Sequence, residues 1–259
     1  MDFQPGSSQV ILVGAGPGAA DLLTLRAVRA LAAADVVVSD GLVGPDVLAL
    51  IPARARRISV AKRRARHTLP QDQIGDLLVA EARAGHTVVR LKGGDPFIFG
   101  RGGEEVDACV AAGVPVQVIP GISAANGAAA ATLMPLTHRD HASMVSFVAG
   151  ECRGLAQQDW AGLAGKGRTL VIFMGLAGAG PIAEKLMADG LAPDTPVAVV
   201  ERATHADQRL LTSLLADLAG LVARAAVASP ALIIVGDVAR LPGLRAARPL
   251  EKDVPCPAC

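Results

Sequence analysis

Apolar residues along this chain fall into short unbroken runs, separated by longer stretches in which they recur every third or fourth position. The runs read as buried strands and the recurring stretches as helices with one apolar face. Val10–Val13 is the first run. Asp21–Ala34 follows as a helix with Leu22, Leu25, Val28 and Leu31 on one stripe, and Asp21 placed to cap it. The alternation continues with a strand at Val36–Ser39, a short helix at Pro45–Leu50, a strand at Ile58–Val60 and a helix at Asp72–Ala84. A strand at Thr87–Leu91, a helix at Gly103–Ala112 and a strand at Val114–Val118 complete this half. Repeated strand-then-helix order with short connections predicts an α/β fold with a mostly parallel sheet.

The Ala-rich segment Ser123–Met134 predicts a helix that Pro135 stops. A second block follows, with strands at Ser143–Ala149, Thr169–Met174, Pro196–Val200 and Ala231–Val235. Helices are expected at Pro181–Ala188 and Leu214–Ala223. The boundary is placed near Pro135–Arg139. This gives an arm at residues 1–9, domains at 10–136 and 137–244, and a disordered tail at 245–259. Each domain is expected to be a mixed, mostly parallel sheet flanked by helices.

Composition narrows the function classes. Of the 259 residues, 51% are hydrophobic, yet there are only five Phe, one Trp and no Tyr, so the core must be built from Ala, Val, Leu and Ile. No apolar run approaches the roughly 18 residues of a membrane span, and the polar N-terminus lacks the regions of a signal peptide. A soluble cytoplasmic protein is expected. Lys and Arg number 25 against 24 Asp and Glu, which gives no general attraction to nucleic acid or anionic lipid. Cys109 and Cys152 stand alone. Cys256 and Cys259 form an unsupported CxxC on a Pro-rich end, read as tail rather than metal or redox site.

Four segments carry chemistry. Gly14-Ala15-Gly16-Pro17-Gly18 lies between a strand and a helix, with Asp40 closing the next strand, as in a dinucleotide fingerprint. Its GxGxG spacing and Pro17, which has no N–H, fit a pyrophosphate cradle poorly. An NAD(P)-binding oxidoreductase is the competing reading. The second segment is Arg90-Leu91-Lys92-Gly93-Gly94-Asp95-Pro96-Phe97-Ile98-Phe99-Gly100-Arg101-Gly102-Gly103-Glu104-Glu105. Glycine backbone, a carboxylate, a guanidinium and apolar rings together make the parts of a small-molecule site at strand ends. The third segment is Pro120-Gly121-Ile122-Ser123-Ala124 and the fourth Pro135-Leu136-Thr137-His138-Arg139-Asp140.

Together these strings resemble the tetrapyrrole methyltransferases, and within them the uroporphyrinogen-III C-methyltransferase branch, colinearly from about Val10 to Leu241. The fused siroheme synthases of that branch carry an NAD-dependent domain ahead of these motifs. None is expected here, because the motifs start near residue 11. The resemblance implies methyl transfer from S-adenosylmethionine (SAM) to C2 and C7 of uroporphyrinogen III, giving precorrin-2 for siroheme or cobalamin-type pathways and leaving S-adenosylhomocysteine. It implies SAM contacts at Pro17, Gly93, Gly94, Asp95, Ile98, Ser123, Ala124, Met174 and Ala203. A proton acceptor is implied at Asp40 and a proton donor at Lys62, with Arg101 beside them in the chemistry. A homodimer is implied, with SAM between the two domains. Another precorrin methyltransferase, or a catalytically impaired SAM- or tetrapyrrole-binding protein, remains an alternative.

A substrate with eight carboxylates requires fixed cations, and Arg63, His67, Arg101 and Arg139 are the candidates, with Arg suited to bidentate capture. The run Lys62-Arg63-Arg64-Ala65-Arg66-His67 admits a solvated surface, a nucleic-acid patch or a rim steering a polyanion, and the last is preferred. His138 and His141 beside Asp140 lack a further ligand cluster and are read as loop residues, with no metal expected. The chain departs from the family at Ser39, Ala131 and His141, where tyrosines are usual, and at Gly41, where an Arg is usual. Ser123 replaces Thr, Ala203 replaces Gly, and Phe173 keeps a ring without its hydroxyl.

Overall fold

In a computed structural model of the chain, which describes residues 8–60, 71–150 and 160–241, the strands β1 (Gln9–Gly14), β2 (Val36–Ser39) and β4 (Thr87–Lys92) are buried at every position. Strands covered on both faces have no polar alternation, which is why they read as continuous apolar runs. With β3 (Arg56–Ser59) and β5 (Val116–Ile119) they form a sheet of order β3-β2-β4-β1-β5. All four of its pairings are parallel. Its edge strand β3 carries Arg56 and Arg57 in exposed positions, charges that discourage pairing with another chain.

The sheet is sandwiched. Helices α1 (Leu25–Ala33) and α2 (Pro45–Ala49) cover one face, where Ala27, Ala30, Leu31 and Val47 meet Ile11, Val13, Val89 and Leu91. Helices α3 (Gln71–Arg83) and α4 (Gly102–Ala111) cover the other, where Ile74, Leu78 and Cys109 meet Val10, Leu12 and Val88.

The first helix differs from expectation. A 3₁₀ turn at Ala20–Leu22 precedes it, and Thr24, not Asp21, caps it, accepting from the Ala27 N–H at 3.1 Å. The starting point rotates the buried stripe, so Ala27, Ala30 and Leu31 face the core while Leu25 and Val28 are exposed.

The second sheet holds β6 (Ala142–Ala149), β7 (Gly167–Phe173), β8 (Pro196–Glu201), β9 (Arg209–Leu214) and β10 (Ala231–Val235), in the order β6-β7-β10-β8-β9. Only β6 and β7 pair in parallel; the other three pairings are antiparallel. The mostly parallel expectation therefore holds for the first sheet and is corrected for the second. The short connection from β8 to β9 returns the chain directly alongside itself, which an antiparallel pair permits. Strand β9 itself was not expected. Helices α6 (Ala179–Ala188) and α7 (Leu218–Arg224) bury Ile182, Ala183, Leu186 and Leu218 against Leu170, Ile172, Val197 and Ile233. The helix expected from Leu214 begins instead with a 3₁₀ turn at Leu215–Asp217.

The chain divides into two compact units, Met1–Ala124 and Ala125–Cys259, ahead of the Pro135–Arg139 segment. The division passes through the start of α5 (Ala124–Ala131). Among the described residues no helix is long and apolar enough to cross a membrane.

Candidate active site

In a parallel sheet every strand ends on the same side, so the loops after β1, β2, β4 and β5 emerge together, where α/β folds bind ligands. Three of those loops are locked by glycine. A Cβ on Gly14 would stand 2.5 Å from the Gly121 Cα, and one on Gly121 would stand 2.2 Å from the Gly94 carbonyl oxygen. Gly16 and Gly94 exchange backbone hydrogen bonds of 3.2 and 2.7 Å, both with φ near +70°. No residue with a side chain fits this junction.

The same contacts decide against the dinucleotide reading. The Ala15 N–H donates to the Lys92 carbonyl at 2.7 Å and the Gly16 N–H to that of Gly94, while Pro17 has none to give. Two of the N–H groups that would cradle a pyrophosphate are thus engaged within the protein.

Asp95 organises the loop after β4. Its Oδ1 accepts from the Phe97 N–H at 2.8 Å and its Oδ2 from the Gly121 N–H at 3.0 Å. A carboxylate has about four acceptor positions, so capacity remains for a ligand hydroxyl or ammonium group. Beyond it, Phe97, Ile98 and Phe99 are exposed, and Phe99 and Arg101 adopt left-handed φ of 53° and 56°. Glycine backbone that admits close approach, a carboxylate with spare lone pairs and an exposed apolar wall fit a nucleoside-bearing cofactor such as SAM. Gly93 belongs to the same loop, and Ser123 and Ala124 follow β5 at the start of α5.

Asp40 directly follows β2. The Leu42 N–H donates to its Oδ1 at 3.0 Å, and its Oδ2 lies 3.8 Å from Arg90 Nη2. Arg90 and Lys92 alternate with Val89 and Leu91 along β4, and both are buried. Both bind the same atom, Glu105 Oε1, at 3.1 and 3.0 Å, and Gln71 Nε2 donates to it at 3.2 Å. Glu105 is fully buried, and its Oε2 has no hydrogen-bond partner among the described residues. Burial foremost, and then the neighbouring Arg90, push the Lys92 ammonium below its usual pKa. Sequence reading quotes these three within the second motif but gives none of them a role. The available signal was a pair of cations, two apart, in an otherwise apolar strand.

Arg101 is held elsewhere. Its guanidinium is exposed and bidentate on Glu104, at 2.8 and 2.7 Å, and this pairing raises its pKa. It lines a cavity of about 340 Å³ with Gln71, Gly75, Glu104 and Ala108, between α3 and α4. A substrate carboxylate captured by Arg101 would compete with Glu104.

In the second unit, β7 and β8 both run antiparallel to β10, so their carboxyl ends share one edge. Met174 and Ala203 follow those ends, Met174 exposed and Ala203 buried. A second glycine junction lies there, since a Cβ on Gly150 would stand 2.5 Å from the Gly175 Cα. Arg139 lies in the turn just ahead of β6, the other end of that strand from Gly150. His138 and His141 pack ring on ring at 4.8 Å, and the Asp140 N–H donates to His138 Nδ1. Among the described residues no group of three or more His, Cys, Asp or Glu could hold a metal. Phe173 packs edge-on against Phe147, with ring centroids 5.8 Å apart. Lys62, Arg63 and His67, like Cys152, Cys256 and Cys259, lie outside the described residues.

Among the described residues seven non-glycine positions have left-handed φ, and five of them (Phe99, Arg101, Met174, Arg202 and Thr204) fall in these loops. Backbone strain of this kind concentrates where a fold presents function.

Residues 9–219 match the family of tetrapyrrole (corrin/porphyrin) methylases. The siroheme synthase of Pseudomonas aeruginosa is 52% identical over 236 residues, which is 91% of this chain and 51% of that protein. That of Gluconacetobacter diazotrophicus is 52% identical over 234 residues. The chain spans about half the length of these relatives. The crystal structure of uroporphyrin-III C-methyltransferase from Thermus thermophilus complexed with S-adenyl homocysteine superposes with a TM-score of 0.77. It is 42% identical and covers 90% of this chain and 99% of that one. A cobalt precorrin-4 methyltransferase superposes with a TM-score of 0.80 at 25% identity, over 92% of this chain and 99% of the other.

Proposed function

Because this chain belongs to the tetrapyrrole (corrin/porphyrin) methylase family, we propose that it transfers methyl groups from SAM to C2 and C7 of uroporphyrinogen III. The observation that carries the reading is the match to the Thermus enzyme complexed with S-adenyl homocysteine, at 42% identity over 90% of this chain. When bound, SAM supplies an electrophilic methyl on a sulfonium, and the sulfur keeps the electron pair of the broken bond.

The chain's own residues do the rest. The junction of Gly14, Gly94 and Gly121 sets the floor on which cofactor and pyrrole are aligned, and alignment supplies much of the rate in such transfers. Asp95 takes a hydroxyl or ammonium of the cofactor on its remaining lone pairs. The pyrrole carbon gives its π electrons to the new C–C bond, and Asp40 accepts the proton the macrocycle then loses. Lys62 is the proton donor, and Arg63, His67, Arg101 and Arg139 receive the carboxylates. The product is precorrin-2, and the reading includes a homodimer in the cytoplasm.

Incubating the pure protein with uroporphyrinogen III and SAM should yield a product heavier by two methyl groups in mass spectrometry. A folded protein that binds S-adenosylhomocysteine and adds no methyl group would overturn the catalytic reading. A solution mass of 26.3 kDa rather than twice that would reject the dimer.

A further inference from the structure

The buried ion cluster under α3 and α4 has a charge pattern that packing alone does not explain. Val88, Arg90 and Lys92 share one face of β4, and that face is otherwise filled by Val10, Leu12, Val36, Val38, Leu78 and Cys109. Two cations in an apolar layer with one buried carboxylate leave a positive excess. Both also converge on one oxygen of Glu105, leaving the other without a hydrogen-bond partner among the described residues. Such an arrangement is costly to bury unless further negative charge completes it. The completing charge is Asp40. Arg90 lies opposite Val38 in the β2–β4 register, so its side chain reaches along β2 to the residue just beyond the strand's end. Counted with Asp40, the cluster has two positive and two negative groups.

The guanidinium is fixed on three sides. Its Nε donates to Glu105 Oε1 at 3.1 Å, and its Nη1 donates to the carbonyls of Leu91 at 3.1 Å and Val38 at 3.4 Å. Its Nη2 is directed at Asp40 Oδ2 from 3.8 Å, an ion-pair contact beyond hydrogen-bonding range. The Leu42 N–H holds the other oxygen of Asp40. The Leu42 hydrogen bond on one oxygen and the guanidinium charge beside the other bias the orientation of the carboxylate, and a guanidinium held in place by its other hydrogen bonds does this where a flexible ammonium would not.

We propose that Arg90 is a positioning residue that acts through Asp40: clamped by Glu105, it orients the Asp40 carboxylate toward the substrate. This rests on Asp40 being the proton acceptor of the reaction proposed above.

The test is a double-mutant cycle in single-turnover methyl transfer, using the full chain, uroporphyrinogen III and labelled SAM. Arg90→Lys should lower the rate roughly ten- to a hundredfold, a part of the roughly hundred- to ten-thousandfold that a well-placed general base contributes. Uroporphyrinogen III KM and S-adenosylhomocysteine Kd should stay within about twofold of wild type, the scatter expected of an intact site. In an Asp40→Asn background the same substitution should change the rate by less than about twofold, because the group it orients is gone. Glu105→Gln keeps the side-chain volume and removes the clamping charge, and should show the same dependence on Asp40. Equal factors in both backgrounds, or a change confined to KM or Kd, would overturn the positioning role and leave the methyltransferase reading standing. An Asp40→Asn protein as fast as wild type would overturn it too. A wild-type protein that transfers no methyl group would remove the functional reading and this role with it.

Discussion

At Gly121 a methyl group would stand 2.2 Å from the carbonyl oxygen of Gly94, with the Gly14 backbone 2.8 Å away, so backbone would have to move. Gly121→Ala should destabilise the protein by about 2–3 kcal/mol, an overpacking cost, and weaken S-adenosylhomocysteine binding alongside. Gly103, in the first turn of α4, has nothing within 4 Å of its missing Cβ. Gly103→Ala should therefore stabilise by roughly 0.5 kcal/mol through the helix preference of Ala. Urea unfolding of the two variants checks both signs. The importance of these glycines was readable from the sequence as closeness of backbone to a ligand. That they first touch one another was not, because nothing local relates positions 14, 94 and 121. Arg90, Lys92 and Glu105 were missed for the same reason: the strand's alternation shows the two cations on one face, but their carboxylate comes from a helix after an intervening loop.

The stretch from β9 into α7 is joined by one carboxylate. Asp217 accepts from Arg224 Nη1 and Nη2 at 2.9 and 2.6 Å and from Ser213 Oγ at 2.9 Å. The Arg224 hydrogen bonds, and then that of Ser213, bring its pKa from the ordinary 3.8 to about 2. A lowered carboxyl pKa contributes stability that is complete above the unfolded value and lost as pH falls through the folded one. The gap in unfolding midpoint between wild type and Asp217→Asn should hold above pH 3.8 and close as pH falls toward about 2. A gap unchanged at pH about 2 would count against this origin. This stretch was also where element reading failed. Arg209–Leu214 shows no clean alternation in its burial, as suits an edge strand; its first five residues fall outside any expected element, and Leu214 falls in the helix expected at Leu214–Ala223. The start of α1 was misplaced because Asp21 and Thr24 are both good caps, and only the side-chain geometry at Thr24 selects between them.

The molecule has separate cores for its two sheets. The α/β class and the strands other than β9 were legible because runs of Val, Ile and Leu mark them, whereas β9 is partly exposed along its length. Strand direction in the second sheet was not, since an antiparallel strand buried on both faces has the same apolar run as a parallel one. Leu186 is fully buried in the second core, and Leu186→Ala should cost about 2–5 kcal/mol. Amide hydrogen exchange should then accelerate in β7, β8 and β10 far more than in β1 and β4. Equal acceleration in both sheets would mean that they unfold as a single cooperative unit.

The position of β1 in the first sheet also governs how that sheet can be assembled. Its neighbours are β4, which begins at Thr87, and β5, where Val10 meets Val116. The first strand among the described residues therefore has neither edge paired until most of the unit has been synthesised, and its second edge stays open until β5 has emerged. The ribosome thus extrudes an unpaired Val-Ile-Leu-Val segment well before the strands that cover it, and such long-range pairing slows folding and prolongs exposure to aggregation. For the nascent chain, the critical interval runs from the emergence of Val10 to that of Ile119.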